Sequence, residues 1–157
     1  VNTTQRRGRV LGVDPGSRRI GLALSDPTGL LASPLSVVQR TGSSRTALEE
    51  VARIARENEV VQIVIGLPIG LNGREGPAAR AARRDAEVLT TLVEVPVELH
   101  DERFTTVTAQ RLGRERGRRV DRATEIDKLA AAVLLQSWLD GVAQQSNGRV
   151  EPDGEHP

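Results

Sequence analysis

The chain contains no cysteine, methionine or tyrosine, and its aromatics amount to one tryptophan and one phenylalanine. Without thiols it forms neither disulfides nor thiolate metal sites. With Trp138 and Phe104 alone available, and Trp138 expected to cap the core, stacking on nucleic-acid bases has few candidates. No apolar run approaches the ~20 residues a membrane-spanning helix needs. The opening V-N-T-T-Q-R-R-G-R is basic but leads into no apolar stretch long enough for a secretory signal. These absences predict a soluble, cytoplasmic protein with no membrane partner.

Lysine is nearly absent as well. Of the 22 basic residues only Lys128 is lysine, and the net charge is +1. The distribution says more than the sum, because Arg111, Arg114, Arg116, Arg118, Arg119 and Arg122 fall within one short segment. The planar guanidinium fork suits phosphate oxygens, and such clusters are the electrostatic footprint of nucleic-acid binders. A solvated helix face, diluted by Glu115 and Asp121, is the competing reading. Arg18, Arg103, Arg118 and Arg119 are the candidate nucleic-acid contacts, although Arg103 has Asp101 as an alternative partner.

With 157 residues, one domain is expected. Residues 1–8 and 142–157 are polar and aperiodic and are predicted to be disordered tails, leaving 9–141 as the folded domain. Val10 to Asp14 reads as a buried strand. Arg19 to Ser25 is a second, with Ile20, Leu22 and Leu24 on one face and Gly21, Ala23 and Ser25 on the other. The short P-G-S-R connection makes the two a hairpin. Leu31 to Val38 is a third strand, confined to an edge or bulge by Pro34. A helix follows, capped by Ser44, with Ala47, Leu48, Val51, Ile54 and Ala55 on one face.

Val60 to Ile65 is apolar enough for a strand covered on both faces. After a glycine-rich loop, Pro77 is placed to open the next helix. Val95 to Leu99 alternates as an edge strand. A helix begins at Thr105 or Thr106 and ends near Gly117, and another runs from about Arg122 to Leu139, closed by Gly141. The order β-β-β-α-β-α-β-α-α predicts an α/β fold, a mixed five-stranded sheet with helices on both faces. It is the order of the ribonuclease H-like fold, which by itself gives no function.

Within G-V-D-P-G-S-R-R-I-G-L-A-L-S-D, Asp14 ends the first strand. A turn aspartate bonded to the amides of Gly16 and Ser17 would be ordinary there. Two further acids alter that reading. Glu102 lies just past the last strand, beside Asp101. Asp127 heads a helical stripe that continues through Ala131 and Leu134, where a carboxylate is costly unless something positive sits opposite. In a sheet of this order, Asp14, Glu102 and Asp127 can converge at one edge. They would repel one another and take up protons unless a cation neutralised them. Hard oxygen ligands of this kind suit Mg²⁺ or Mn²⁺. His100 is expected to be an exposed edge-strand residue rather than a proton shuttle.

These stretches, together with V-I-G-L-P, N-G-R-E-G-P, H-D-E-R-F-T-T and I-D-K-L-A-A-A-V-L-L-Q-S-W-L, resemble the YqgF family of bacterial ribonuclease H-like proteins. The resemblance spans residues 9 to 140. It implies a metal-dependent endonuclease that matures the 5′ end of precursor 16S rRNA, with action on Holliday junctions as the alternative. On the same basis Asp14, Glu102 and Asp127 form an acidic triad holding Mg²⁺ or Mn²⁺, with precursor rRNA, branched DNA and ribosomal particles as partners. A monomer or weak homodimer is expected. Two positions depart from the family pattern. Gly70 stands where asparagine is frequent, and Asp85 falls where a helix should present an apolar residue. Two other classes compete: an actin-like or sugar-kinase ATPase, for which the chain is too short, and a ribosome-associated module without catalysis.

Overall fold

The computed structural model describes residues 8–70, 72–102 and 122–148. The helix expected from Thr105 or Thr106 to Gly117, the arginine cluster from Arg111 to Arg119, and Arg103 and Phe104 lie outside the described residues.

Five strands form one mixed sheet: β1 (Val10–Pro15), β2 (Arg19–Ser25), β3 (Ala32–Gln39), β4 (Gln62–Leu67) and β5 (Val97–Asp101), in the spatial order β3-β2-β1-β4-β5. The first three meander antiparallel, and β4 and β5 add in parallel. This is the sheet order expected from the element sequence. Pro34 sits in the edge strand β3, where the register against β2 shifts between Leu22 and Ala23, so its missing N–H costs little. Helices α1 (Ser44–Glu57) and α2 (Pro77–Leu92) cover one face, and α3 (Arg122–Asn147) crosses the other.

The two faces are built from different residues. Toward α1 and α2 the strands present Leu11, Val13, Ile20, Leu22, Ile63 and Ile65, all fully buried against Leu48, Val51 and Leu89. Burying each such side chain stabilises the fold by about 1.5–3 kcal/mol. Toward α3 most alternate positions are small: Gly12, Gly21, Ala23 and Gly66, with Val10 and Val64 among them, face Ala131, Leu134 and Leu135. Side chains at the glycines would collide with the helix. A Cβ on Gly21 would lie 2.1 Å from the Asp127 carbonyl oxygen, and one on Gly12 2.8 Å from the Leu135 Cβ. The glycines and alanines therefore let α3 lie directly on the strands.

α3 is held at both margins of the sheet. On one side Gln136 donates to the Leu30 carbonyl at 3.0 Å and accepts from the Ala32 N–H at 2.9 Å. On the other, the Trp138 indole donates to Glu98 at 3.2 Å, and His100 Nε2 and Ser137 Oγ share a hydrogen bond of 3.1 Å.

Two element ends differ from expectation. The cap of α1 is Ser43 rather than Ser44, its Oγ accepting from the Thr46 N–H at 3.2 Å. The helix expected to stop at Gly141 runs on to Asn147, so residues 142–147 are helical rather than part of a tail. A mid-helix glycine costs only about 1 kcal/mol, and Ala143, Gln144 and Gln145 beyond it are good helix formers.

The close approach has a measurable consequence. Gly21→Ala should destabilise by about 1–3 kcal/mol, because the new methyl meets backbone rather than a movable side chain. Gly141→Ala has open space around it and should stabilise by up to about 1 kcal/mol through helix propensity. Thermal unfolding of both variants checks the contrast.

Candidate active site

Period-two alternation carries two of the candidate acids to the α3 side. Asp14 lies two residues beyond Gly12 in β1, and Glu102 is two beyond His100, which bonds α3. Asp127 lies in the second turn of α3, over Gly21. Asp14 and Glu102 thus meet at the ends of β1 and β5, and Asp127 lies on the same face of the sheet, near enough for its charge to act on Asp14.

Asp14 and Glu102 are hydrogen-bonded to each other through their carboxyl groups. Such a bond requires a proton on one of them. Burial, then the charge and hydrogen bond of Asp14, push Glu102 up to about 8. Burial also raises Asp14; the bond from Glu102 opposes the rise and the Asp127 charge adds to it. The crowding is steric as well as electrical. A Cβ on Gly66 would fall 1.8 Å from Glu102 Oε1, so this glycine is the floor on which the Glu102 carboxyl rests.

Asp127 has a different partner. Arg19, at the start of β2, donates from Nε to Asp127 Oδ2 at 2.7 Å. This is the positive group that a carboxylate at the head of an apolar stripe requires. Arg19 is a site residue absent from the sequence-based candidates. Its signal is strand parity, since it alternates in step with Gly21 and Ala23 and so must face α3. With Asp127 turned to Arg19, no three His, Asp or Glu side chains among the described residues stand close enough to cage an ion as they are.

One smaller expectation changes, and the placing of Asp85 at an apolar position holds. His100 is partly buried rather than exposed, and burial lowers its pKa against the opposing charges of Glu98 and Asp101. Asp85 is buried in α2 and paired with Arg40. Arg18 is exposed in the turn after Asp14, open to a ligand approaching that edge.

The mixed 3-2-1-4-5 sheet, with acids gathered at one end under a crossing helix, defines a ribonuclease H-like α/β protein. Its parallels in fold include two Thermus thermophilus RuvC structures. One is in complex with a Holliday junction substrate, with a TM-score of 0.54 at 16% identity, covering 87% of this chain and 96% of that one. The other has a TM-score of 0.55 at 14% identity, with coverage of 86% and 96%. The chain belongs to the family described as RuvX, Holliday junction resolvase, whose model matches residues 8–141. Among its relatives is a Mycobacterium leprae protein (strain TN) named "Putative pre-16S rRNA nuclease", 49% identical over 141 residues, 88% of this chain and 76% of the relative. A Roseiflexus protein (strain RS-1) of the same name is 41% identical over 134 residues, covering 85% and 94%. Among the described residues, no helix is long and apolar enough to cross a membrane.

The shared proton gives the site a pH signature. The folded protein retains it up to about pH 8, whereas an unfolded glutamate releases it near 4.5. The native state then binds more protons across that window, so stability falls as pH rises through it. Glu102→Gln should remove this component. In metal-free buffer its melting temperature should decline less steeply than the wild type's between pH 5 and pH 8, values that lie within that window.

Proposed function

We propose that the protein is a divalent-metal-dependent endonuclease that hydrolyses phosphodiester bonds, acting on the 5′ end of precursor 16S rRNA in ribosome biogenesis. The observation that carries this reading is the Asp14–Glu102 pair at one end of the sheet, with Asp127 beside it on α3. The names of the 41–49% identical relatives favour rRNA as substrate. The description of the family model supports four-way DNA junctions as the second reading.

The donor set fits Mg²⁺ or Mn²⁺. All three acids offer hard oxygen, and such ions retain sites for water and phosphate oxygens. The Asp14–Glu102 pair already requires a proton in place of a cation. Asp14, Glu102 and Asp127 would hold the metal, which when bound would lower the pKa of an attacking water and offset charge on the leaving oxygen. The chain's own residues do the rest. Gly66 leaves room for Glu102, Gly21 brings Asp127 down to the strands, and Arg19 neutralises and orients Asp127 until substrate and metal arrive. Arg18, with Arg103, Arg118 and Arg119 by sequence, would hold backbone phosphates, which position a strand without reading its bases.

The test is incubation of precursor rRNA and of a four-way junction with Mg²⁺, Mn²⁺ or chelator. Metal-dependent cleavage of the RNA is expected. Asp14→Asn should lower it by about 10³-fold or more, the consequence of losing several kcal/mol of metal-supplied stabilisation, while affinity survives. Cleavage of the junction alone selects the second reading, and metal-independent cleavage rejects the mechanism. Arg118→Ala combined with Arg119→Ala should leave the cut position unchanged. It should reduce the salt dependence of single-strand binding by about 0.7 log units per log unit of salt for each phosphate no longer neutralised. An unchanged slope returns both arginines to a solvated face.

A further inference from the structure

Asp85 interrupts the apolar face of α2, and nothing in the acid cluster requires it. Its partner is Arg40, just past the end of β3, whose Nη2 lies 2.5 Å from Asp85 Oδ2. The two side chains are only 12% and 10% exposed. A buried ion pair is weak evidence for stability alone, since well-packed apolar residues of similar volume often do as well or better. The remaining bonds of Arg40 indicate another role. Its Nε donates to the Gly16 carbonyl at 2.7 Å, and its backbone N–H donates to the Arg18 carbonyl at 2.9 Å.

Gly16 and Arg18 belong to the turn that joins β1 to β2, the turn that begins at Asp14 and ends at Arg19. It is tight. The Gly16 N–H donates back to the Asp14 carbonyl at 3.1 Å, and a Cβ on Gly16 would sit 2.3 Å from the Arg19 carbonyl oxygen. Yet packing does not back it. Behind the turn lies a cavity of about 390 Å³, lined by Pro15, Gly16, Ser17, Arg40, Ser44 and Asp85 among others. A turn with space behind it is fixed by whatever reaches across, and among the described residues the Arg40 guanidinium does so, beside the backbone bond from residue 40 to Arg18.

We propose that Arg40 and Asp85 form a positioning strut. Anchored in α2, Arg40 holds the β1–β2 turn so that Asp14 meets Glu102 and Arg19 meets Asp127. The proposal rests on Asp14 acting in catalysis. Neither residue of the strut touches the reacting atoms. Lysine cannot substitute, because one terminal nitrogen cannot reach both Asp85 and the Gly16 carbonyl as Nη2 and Nε do.

The decisive comparison uses Arg40→Lys and the double variant Arg40→Met with Asp85→Leu in the full chain. The apolar pair should restore packing, so the double variant should melt no lower than wild type. It should nevertheless cleave precursor rRNA with kcat reduced about 10- to 100-fold, the scale of a small misplacement of reacting groups, and with KM nearly unchanged. Arg40→Lys should behave likewise. Amide hydrogen exchange at Gly16 and at residue 40, the two N–H groups that close the turn, should accelerate in both variants while β4 stays protected. A double variant with wild-type kcat and wild-type exchange overturns the strut and leaves the pair as packing. If the wild-type protein cleaves neither RNA nor junction, the nuclease reading fails. Exchange at the two amides then decides the strut alone.

Discussion

Like charges in a partly dry corner must be answered, and the architecture around Asp14, Glu102 and Asp127 follows from how they are answered. Burial raises the pKa of both Asp14 and Glu102, so the pair favours holding a proton between them. Asp127 takes the Arg19 guanidinium. These are two different solutions to one electrostatic problem, and both are reversible. Under the function proposed above, a bound cation would take the place of that proton, and Arg19 would be available to a substrate phosphate. A site that permanently satisfied its own acids would have nothing to offer a metal or substrate.

That requirement explains the asymmetry of the sheet. The face under α1 and α2 carries the large aliphatic side chains and with them most of the apolar burial. The face under α3 is thinner, with Gly12, Gly21, Ala23 and Gly66 beside Val10 and Val64, because the backbone of α3 must approach until the Asp127 carbonyl lies over Gly21. Close approach with few large side chains on the strands yields less hydrophobic stabilisation than the opposite face supplies. Polar ties at both margins supply the register instead, through Gln136 to Leu30 and Ala32 and through Trp138 to Glu98. Stability is thus concentrated on the face away from the acids, and geometry on the face that holds them.

Much of this is legible in sequence because it depends on parity and order. Alternation in R-I-G-L-A-L-S assigns Gly21 and Ala23 to one face, and the succession of elements sets the 3-2-1-4-5 sheet. The same parity brings Asp14 and Glu102 to one side. Arg19 obeys it too, and asking what faces Asp127 would find it. Other features have no local signal. Arg40 and Asp85 are 45 residues apart, and their meeting depends on how α2 lies against the turn. The end of α3 escapes a reading in which Gly141 is a stop, because the residues after that glycine favour helix strongly enough to carry it through. His100 alternates outward along an edge strand, yet α3 reaches far enough across to cover it.

The distribution of charged residues separates two kinds of arginine. Several on α1 and α2 pair within one or two turns or across a short loop: Arg45 with Glu49, Arg53 with Glu50 and Glu57, and Arg83 with Glu75. Exposed pairs of this sort contribute little to stability and would exist on any helical surface of this composition. Arg19 and Arg40 are of another kind. Each leaves the strands beside the hairpin turn and reaches an acid on a helix from a different layer, one above the sheet and one below. The β1–β2 turn is therefore tied to both helical layers by side chains that originate at or beside the hairpin. Asp14 occupies the point where the two ties meet, and its position is set from both sides of the sheet at once.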